Sequence, residues 1–233
     1  MRLLLLGNST NHGAGYLDHA QAAVREFFGK ARRVAFVPFA LKDRAAYTTK
    51  AKTRFEALGF ELGGITADAA GREALLGAEG VFVGGGNTFR LLRTLQWSGL
   101  LDPLRQRVRE GMPYMGASAG TNLAGPTIRT TNDMPIVEPD GFDALGLVPF
   151  QINPHYLDAD PASRHMGETR EERIREFLEE NERAVVGLRE GAWLRVEGPS
   201  CRLEGGAARI FRRGSEPEEA APGTSLDALL KEA

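Results

Sequence analysis

The sequence predicts an α/β fold: a three-layer sandwich with a mainly parallel central sheet, a nucleophile elbow at a strand-to-helix turn, and a short antiparallel meander near the C-terminus. Three observations predict it. Short apolar runs alternate with longer segments of helical spacing, the pattern of βα units that lay strands parallel with helices on both faces. The runs are continuous rather than alternating, as in strands covered on both sides. One of them, residues 112–116, leads directly into Gly116-Ala117-Ser118-Ala119-Gly120, a G-x-S-x-G turn.

Length and composition narrow the reading. The chain has 233 residues, 42% of them hydrophobic, enough for one sizeable core. Residues 1–212 read as one domain. Residues 213–233, rich in Glu, Ala, Pro and Gly, read as a loosely ordered tail with a short helix near 226–230. A formal net charge of −2 provides no field to attract nucleic acid or an anionic membrane. The single cysteine, Cys201, excludes an intrachain disulfide and a cysteine-rich metal cluster, and fits a reducing compartment. The N-terminal Met1-Arg2-Leu3-Leu4-Leu5-Leu6-Gly7 is too short for the apolar part of a signal peptide and reads as a buried first strand. No stretch is long and apolar enough to span a bilayer, so a cytoplasmic location is expected.

Taken in order, residues 3–6 form the first strand. The polar loop 7–15 follows at its carboxyl end, where open α/β sheets carry ligand sites. Residues 16–28 read as a helix. Residues 34–39 read as a strand ended by Pro38, and residues 43–58 as a helix closed by Gly59. Residues 60–65 are a weak strand and 72–76 a short helix. A buried strand at 80–83 runs into Gly84-Gly85-Gly86-Asn87-Thr88, where glycines let backbone N–H groups approach a ligand. This strand end is expected beside the elbow. No Gly-Lys-Ser/Thr follows, so it is not a phosphate loop. Helices are expected at 89–95, 101–110 and from Ala119. An apolar run then ends in Asn153-Pro154-His155. A charged helix spans 167–181, a buried strand 184–188 ends in Glu190-Gly191, and residues 192–196, 200–203 and 208–211 form the meander.

The chemistry follows from the turn. A serine at a cramped strand-to-helix bend needs small neighbours, and Gly116, Ala117, Ala119 and Gly120 are all small. The N–H groups of the following helix can stabilise a developing oxyanion. The hydroxyl also needs a base, and the base needs an orienting acceptor. Of the four histidines, His19 and His165 read as surface residues, and His12 lies in the first strand-end loop. His155 is the best base, since it follows a buried strand downstream of the serine. For the acid, Asp133 and Glu190 both stand open. Asp158 is too close in sequence to His155 to reach the correct ring nitrogen. Cys201 lacks a small-residue turn and is a poor nucleophile.

Gly84-Gly85-Gly86-Asn87-Thr88, Gly116-Ala117-Ser118-Ala119-Gly120, Asn153-Pro154-His155 and Gly167-Glu168-Thr169-Arg170-Glu171-Glu172-Arg173-Ile174 together resemble the peptidase E family of α-aspartyl dipeptidases, over about residues 1–212. Asn8-Ser9 and Leu188-Arg189-Glu190-Gly191-Ala192-Trp193 also resemble it. The resemblance implies a fold like that of class I glutamine amidotransferases and hydrolysis of Asp-Xaa dipeptides without metal or cofactor. It implies Ser118 as nucleophile and His155 as general base. The third member matches either Asp133 or Glu190, with Asp133 preferred. The oxyanion hole would come from the N–H groups of Ala119 and of Gly85 or Gly86. An acidic amino-terminal residue needs a cation, and Arg170 or Arg173 could supply it, Arg170 being preferred; their alternative is surface pairing with Glu168, Glu171 and Glu176. Asn87 could bond the substrate carboxylate or amine. The expected partner is a small peptide with an N-terminal Asp, with no nucleic acid or membrane, and a homodimer or higher homo-oligomer is compatible with the fold. Competing readings are a cyanophycinase-like peptidase or an esterase using the same Ser-His pair, and a non-catalytic amidotransferase-like binding protein.

Overall fold

The computed structural model describes residues 1–160, 162 and 166–232. Its first half is a run of βα units. β1 (Arg2–Leu6) leads through a polar loop and a 3-10 turn (Asp18–Ala20) into α1 (Gln21–Phe28). The helix expected from residue 16 thus begins at 21. There follow β2 (Arg33–Val37), α2 (Arg44–Leu58), β3 (Glu61–Gly64), α3 (Ala69–Leu76), β4 (Gly80–Val83), α4 (Thr88–Trp97), α5 (Leu101–Arg109) and β5 (Tyr114–Ala117). Local chemistry explains the boundaries. The Asp43 carboxylate accepts from the Ala46 N–H at 2.9 Å and caps α2, which ends at Gly59 with φ 93°.

Pairing gives a seven-stranded sheet ordered β3-β2-β4-β5-β1-β8-β9, in which β8 (Trp193–Glu197) and β9 (Ser200–Glu204) are an antiparallel hairpin beside β1. The five other strands run parallel. Alternation along β1 shows why helices cover both faces. Leu3 and Leu5 join a cluster with Leu91 and Leu95 of α4 and Leu104 of α5. Leu4 and Leu6 join one with Phe27 of α1 and Phe55 of α2. All four leucines are fully buried, each worth roughly 1.5–3 kcal/mol in transfer terms.

A second sheet, ordered β11-β10-β7-β6, is built from β6 (Gln151–Pro154), β7 (Val185–Leu188), β10 (Ala208–Phe211) and β11 (Glu218–Ala220). β6 and β7 pair in parallel, and α7 (Arg170–Glu180) connects them. A Thr169/Glu172 capping box opens α7.

Two expectations change here. The three-strand meander is divided: 208–211 leaves the hairpin and pairs antiparallel with β7. Gly205 makes the change of direction, with φ 76° and a backbone so close to Trp193 that a Cβ would lie 2.1 Å from its ring. The tail is ordered through residue 232. β11 pairs with β10, Leu226 N donates to Cys201 O at 2.7 Å, and Leu226 and Leu229 are buried. The tail therefore covers the outer strand β9, an edge that would otherwise invite pairing. Among the described residues, no helix is long and apolar enough to cross a membrane.

Candidate active site

β5 lies between β1 and β4, with Leu6 opposite Ala117 and Val83 opposite Gly116. The chain turns at Ser118, which has φ 52° and ψ −110°. Such a conformation costs a non-glycine residue about 1–3 kcal/mol and must be held by its surroundings. Here Ser118 N donates to Leu6 O at 3.0 Å, and the Thr121 hydroxyl donates to the same oxygen at 2.6 Å. The buried Tyr114 hydroxyl donates to Gly120 O at 2.5 Å. The spacing of the motif is steric. A Cβ at Gly116 would lie 2.5 Å from Gly120 O, and one at Gly120 would lie 2.1 Å from Val83 O. α6 (Ala119–Asn122), the helix expected after the turn, is a single turn. Its contribution is therefore local N–H groups rather than a long helix dipole.

The base and its carboxylate come from the second sheet. Pro154 of β6 stands opposite Leu188 of β7, so the residues just beyond both strands emerge side by side. Tyr156 N donates to Leu188 O at 2.9 Å, and His155 is turned to φ 53°. His155 Nε2 is 3.0 Å from Ser118 Oγ, and His155 Nδ1 is 3.1 Å from Glu190 Oε1. The imidazole and the carboxylate are 42% and 48% exposed, so the pair is half in water. Buried Asn8 fixes the Glu190 turn, its Oδ1 accepting from Gly191 N at 2.9 Å.

Amide and hydroxyl side chains dock the second sheet on the elbow. Asn122 Nδ2 of α6 donates to Ile152 O at 2.7 Å, and the Thr130 hydroxyl donates to the same carbonyl at 2.9 Å. Asn153 Nδ2 donates to Thr130 O at 2.8 Å, and Asn132 Nδ2 to Pro154 O at 2.8 Å. The base is thus positioned against the nucleophile through side-chain-to-backbone bonds that cross from one sheet to the other.

Asp133, the preferred third member from sequence, is engaged elsewhere. Its Oδ2 accepts from the Thr88 N–H at 2.8 Å, the Thr88 hydroxyl at 2.6 Å and the Thr131 hydroxyl at 3.1 Å. Three donors hold it at the N-terminus of α4, immediately after the glycine loop. Glu190 is the carboxylate hydrogen-bonded to the histidine. Asp158 also turns away, forming a two-point pair with Arg189 at 2.7 and 2.8 Å that holds its carboxyl below the usual range.

The glycine loop lies against the elbow, as expected from sequence. A Cβ on Gly85 would be 3.1 Å from Ser118 Cβ, and Gly86 has φ 130°. Among the described residues, the N–H groups of Gly86 and Ala119 donate to no protein acceptor, and that of Gly85 faces the Tyr47 hydroxyl. Two donors are therefore free beside one hydroxyl, and a third lies next to them. Asn87 is less free than its motif suggests: its Oδ1 accepts from Arg90 N at 3.0 Å and its Nδ2 donates to Met134 O at 2.8 Å.

Arg170 and Arg173 open α7 and line a groove of about 540 Å3 with Asn132 and Leu157. Arg173 pairs with Glu168 at 3.4 Å. Arg170 forms no salt bridge among the described residues, and burial with the neighbouring Arg173 lowers its pKa, opposed by Asp133. A second cleft, of about 580 Å3, holds Ser118, His155, Gly85 and Gly86 on its wall.

The remaining candidates fall away from this chemistry. His12 is exposed. His19, expected at the surface, is half-buried against Trp193, with a ring-centroid distance of 6.2 Å and both ring nitrogens unbonded. His165 lies outside the described residues. Cys201 is buried in β9, and burial pushes its thiol up to about 12.

Comparison with known proteins identifies the family. The profile of peptidase family S51 matches residues 3–204. A protein of Streptomyces coelicolor named peptidase E is 57% identical over 231 residues, covering 99% of this chain and 95% of the relative. A Drosophila melanogaster protein named probable alpha-aspartyl dipeptidase is 47% identical, with 98% and 97% covered. The crystal structure of a peptidase from an acI-B1 actinobacterium superposes with a TM-score of 0.75 at 16% identity, covering 97% of this chain and 96% of that one, and shares the fold.

Proposed function

The chain belongs to peptidase family S51, and we propose that it is a serine dipeptidase that releases aspartate from the amino end of Asp-Xaa through an acyl-enzyme. One observation carries the chemistry: Ser118 Oγ, His155 and Glu190 form a continuous chain of contacts at 3.0 and 3.1 Å. His155 Nε2 takes the hydroxyl proton as Oγ attacks the scissile carbonyl. Glu190 stabilises the imidazolium and holds the tautomer with its proton on Nδ1. The oxyanion forms beside the N–H groups of Ala119 and of Gly85 or Gly86, the Gly86 and Ala119 donors having no protein acceptor among the described residues. His155 then returns the proton to the leaving amine. Water attacks the acyl-enzyme through the same base, which its half-exposed position makes reachable.

Arg170 is the cation assigned to the substrate's side-chain carboxylate. It supports that role by having no salt-bridge partner among the described residues, whereas Arg173 is paired with Glu168. Asn87 keeps one acceptor lone pair for the substrate amine. The relatives' names, peptidase E and alpha-aspartyl dipeptidase, support the same substrate class. A cytoplasmic location is part of the proposal, in keeping with a single buried cysteine. The test is hydrolysis of Asp-Leu, Asn-Leu, Glu-Leu and Ala-Leu. Asp-Leu is expected to be cleaved with the highest kcat/KM. Equal rates on Asp-Leu and Ala-Leu refute an acid-selective site.

A further inference from the structure

The cleft holding Ser118 shares no lining residue with the groove beneath Arg170. Its far wall is one face of α2 and the turn before it: Asp43, Ala46, Tyr47 and Lys50 recur at the 3-4-7 spacing that aligns side chains along a helix. Lys42 completes that wall. Tyr47 is buried, and Leu41 and Tyr16 supply further apolar surface.

Two features mark this wall as a site for an anion with an apolar body. First, neither Lys42 nor Lys50 is salt-bridged to an acid among the described residues, although the chain forms many such pairs elsewhere; nearby Lys52 pairs with Glu56. Lys50 Nζ instead sits 4.7 Å above the Tyr16 ring, a position that holds the ammonium over the cleft. The one acid on the wall, Asp43, is committed to capping α2. Second, the Tyr16 and Tyr47 hydroxyls lie against one another, and burial raises the pKa of both, so the wall offers an anion no opposing charge there.

A dipeptide has charged groups on both sides of its scissile bond. The aspartyl side has an ammonium and a side-chain carboxylate. The departing side has one charge, its own α-carboxylate. We propose that the cleft between α2 and the glycine loop receives the departing residue, with Lys50, assisted by Lys42, binding its α-carboxylate. This rests on the dipeptidase reading above and adds the reason the enzyme stops at dipeptides: in a longer substrate the carboxylate lies one residue further along, out of register with the ammonium. Tyr16, Tyr47 and Leu41 pack against the departing side chain without selecting it, since none presents a directed polar group to it.

The experiment compares Asp-Leu with its C-terminal amide, Asp-Leu-NH2, on wild type, Lys50→Met, Lys50→Arg and Lys42→Met. Lysine to methionine keeps the stem and removes the charge, and both lysines are exposed, so folding is expected to survive. Wild type should show a KM for the amide roughly tenfold above that for Asp-Leu, equivalent to about 1.4 kcal/mol. Lys50→Met should raise KM for Asp-Leu to the level of the amide, leave kcat nearly unchanged, and leave the amide unaffected. Lys50→Arg should restore most of the difference, and Lys42→Met should show the same pattern at smaller size. If wild type treats acid and amide alike, or if Lys50→Met raises both KM values equally, the cleft does not bind this carboxylate. The equal rise would assign it to the aspartyl end. If wild type cleaves neither, the dipeptidase reading itself fails, an outcome distinct from the other two.

Discussion

Glu190→Gln removes a charge while keeping the shape of the group beside His155. A general base must be unprotonated to act, so little is lost before the attack. As Ser118 attacks, the ring becomes an imidazolium 3.1 Å from what was a carboxylate. A unit-charge pair at about 4 Å is worth about 1 kcal/mol in water and about 4 kcal/mol at an effective dielectric of 20. Both groups are close to half exposed, at 42% and 48%, so the loss should fall between those limits. At about 1.36 kcal/mol per decade, kcat for Asp-Leu should drop roughly 5-fold to 1,000-fold. KM should change little, because the interaction strengthens only in the transition state. The control is Asp133→Asn. Its carboxylate meets Thr88 and Thr131 rather than the base, so its cost should appear as a lowered Tm and a smaller loss of kcat. Steady-state kinetics with thermal unfolding on both variants decide the matter. A larger fall in kcat for Asp133→Asn at unchanged Tm, with Glu190→Gln near wild type, would refute the assignment of the third member.

Other predictions follow from single contacts. Gly120→Ala places a Cβ 2.1 Å from Val83 O; overpacking of this kind costs about 1–3 kcal/mol, so Tm should fall by several degrees and Asp-Leu hydrolysis should be lost, while unchanged Tm would show that the elbow has room to relax. His19 is held below the usual histidine value by burial, with Asp18 and Glu190 opposing. The unfolded chain binds its proton near pH 6.5, so the stability that neutral His19 contributes is present above that pH and is lost as pH falls toward the folded value. Urea midpoints at pH 7.5 and 5.5 should therefore diverge more for wild type than for His19→Gln, and equal divergence would contradict it.

How much of this was legible in the sequence depended on whether the signal was local. Continuous apolar runs such as Leu3 to Leu6 identify doubly covered strands, because both faces must be apolar at once. The elbow was legible because its steric demands fall within five residues. His155 was legible because an apolar strand ends just before it. The choice between Asp133 and Glu190 was not, since it turns on the parallel register that sets Pro154 opposite Leu188 across a helix and more than thirty residues. Asp133 had the expected place in chain order, but its partners on α4 lie 45 residues away. The divided meander was hidden for a similar reason: three short strands in succession look like a continuous ribbon until Gly205 turns the third toward β7. The tail read as loosely ordered because charged and small residues dominate it; the short helix near 226–230 was legible from its leucines, but the pairing of 218–220 with β10 was not. Nothing in the sequence singles out Lys42 or Lys50, and only the fold sets them on the cleft that holds Ser118.

The account stands on the Ser118 hydroxyl as the attacking group, and the initial rate of Asp-Leu hydrolysis by Ser118→Ala tests that most directly. The site predicts a fall in kcat of at least about a thousandfold with the fold and Tm retained, since alanine fits the turn as small residues do on either side. A variant that still cleaves Asp-Leu within tenfold of wild type would contradict it.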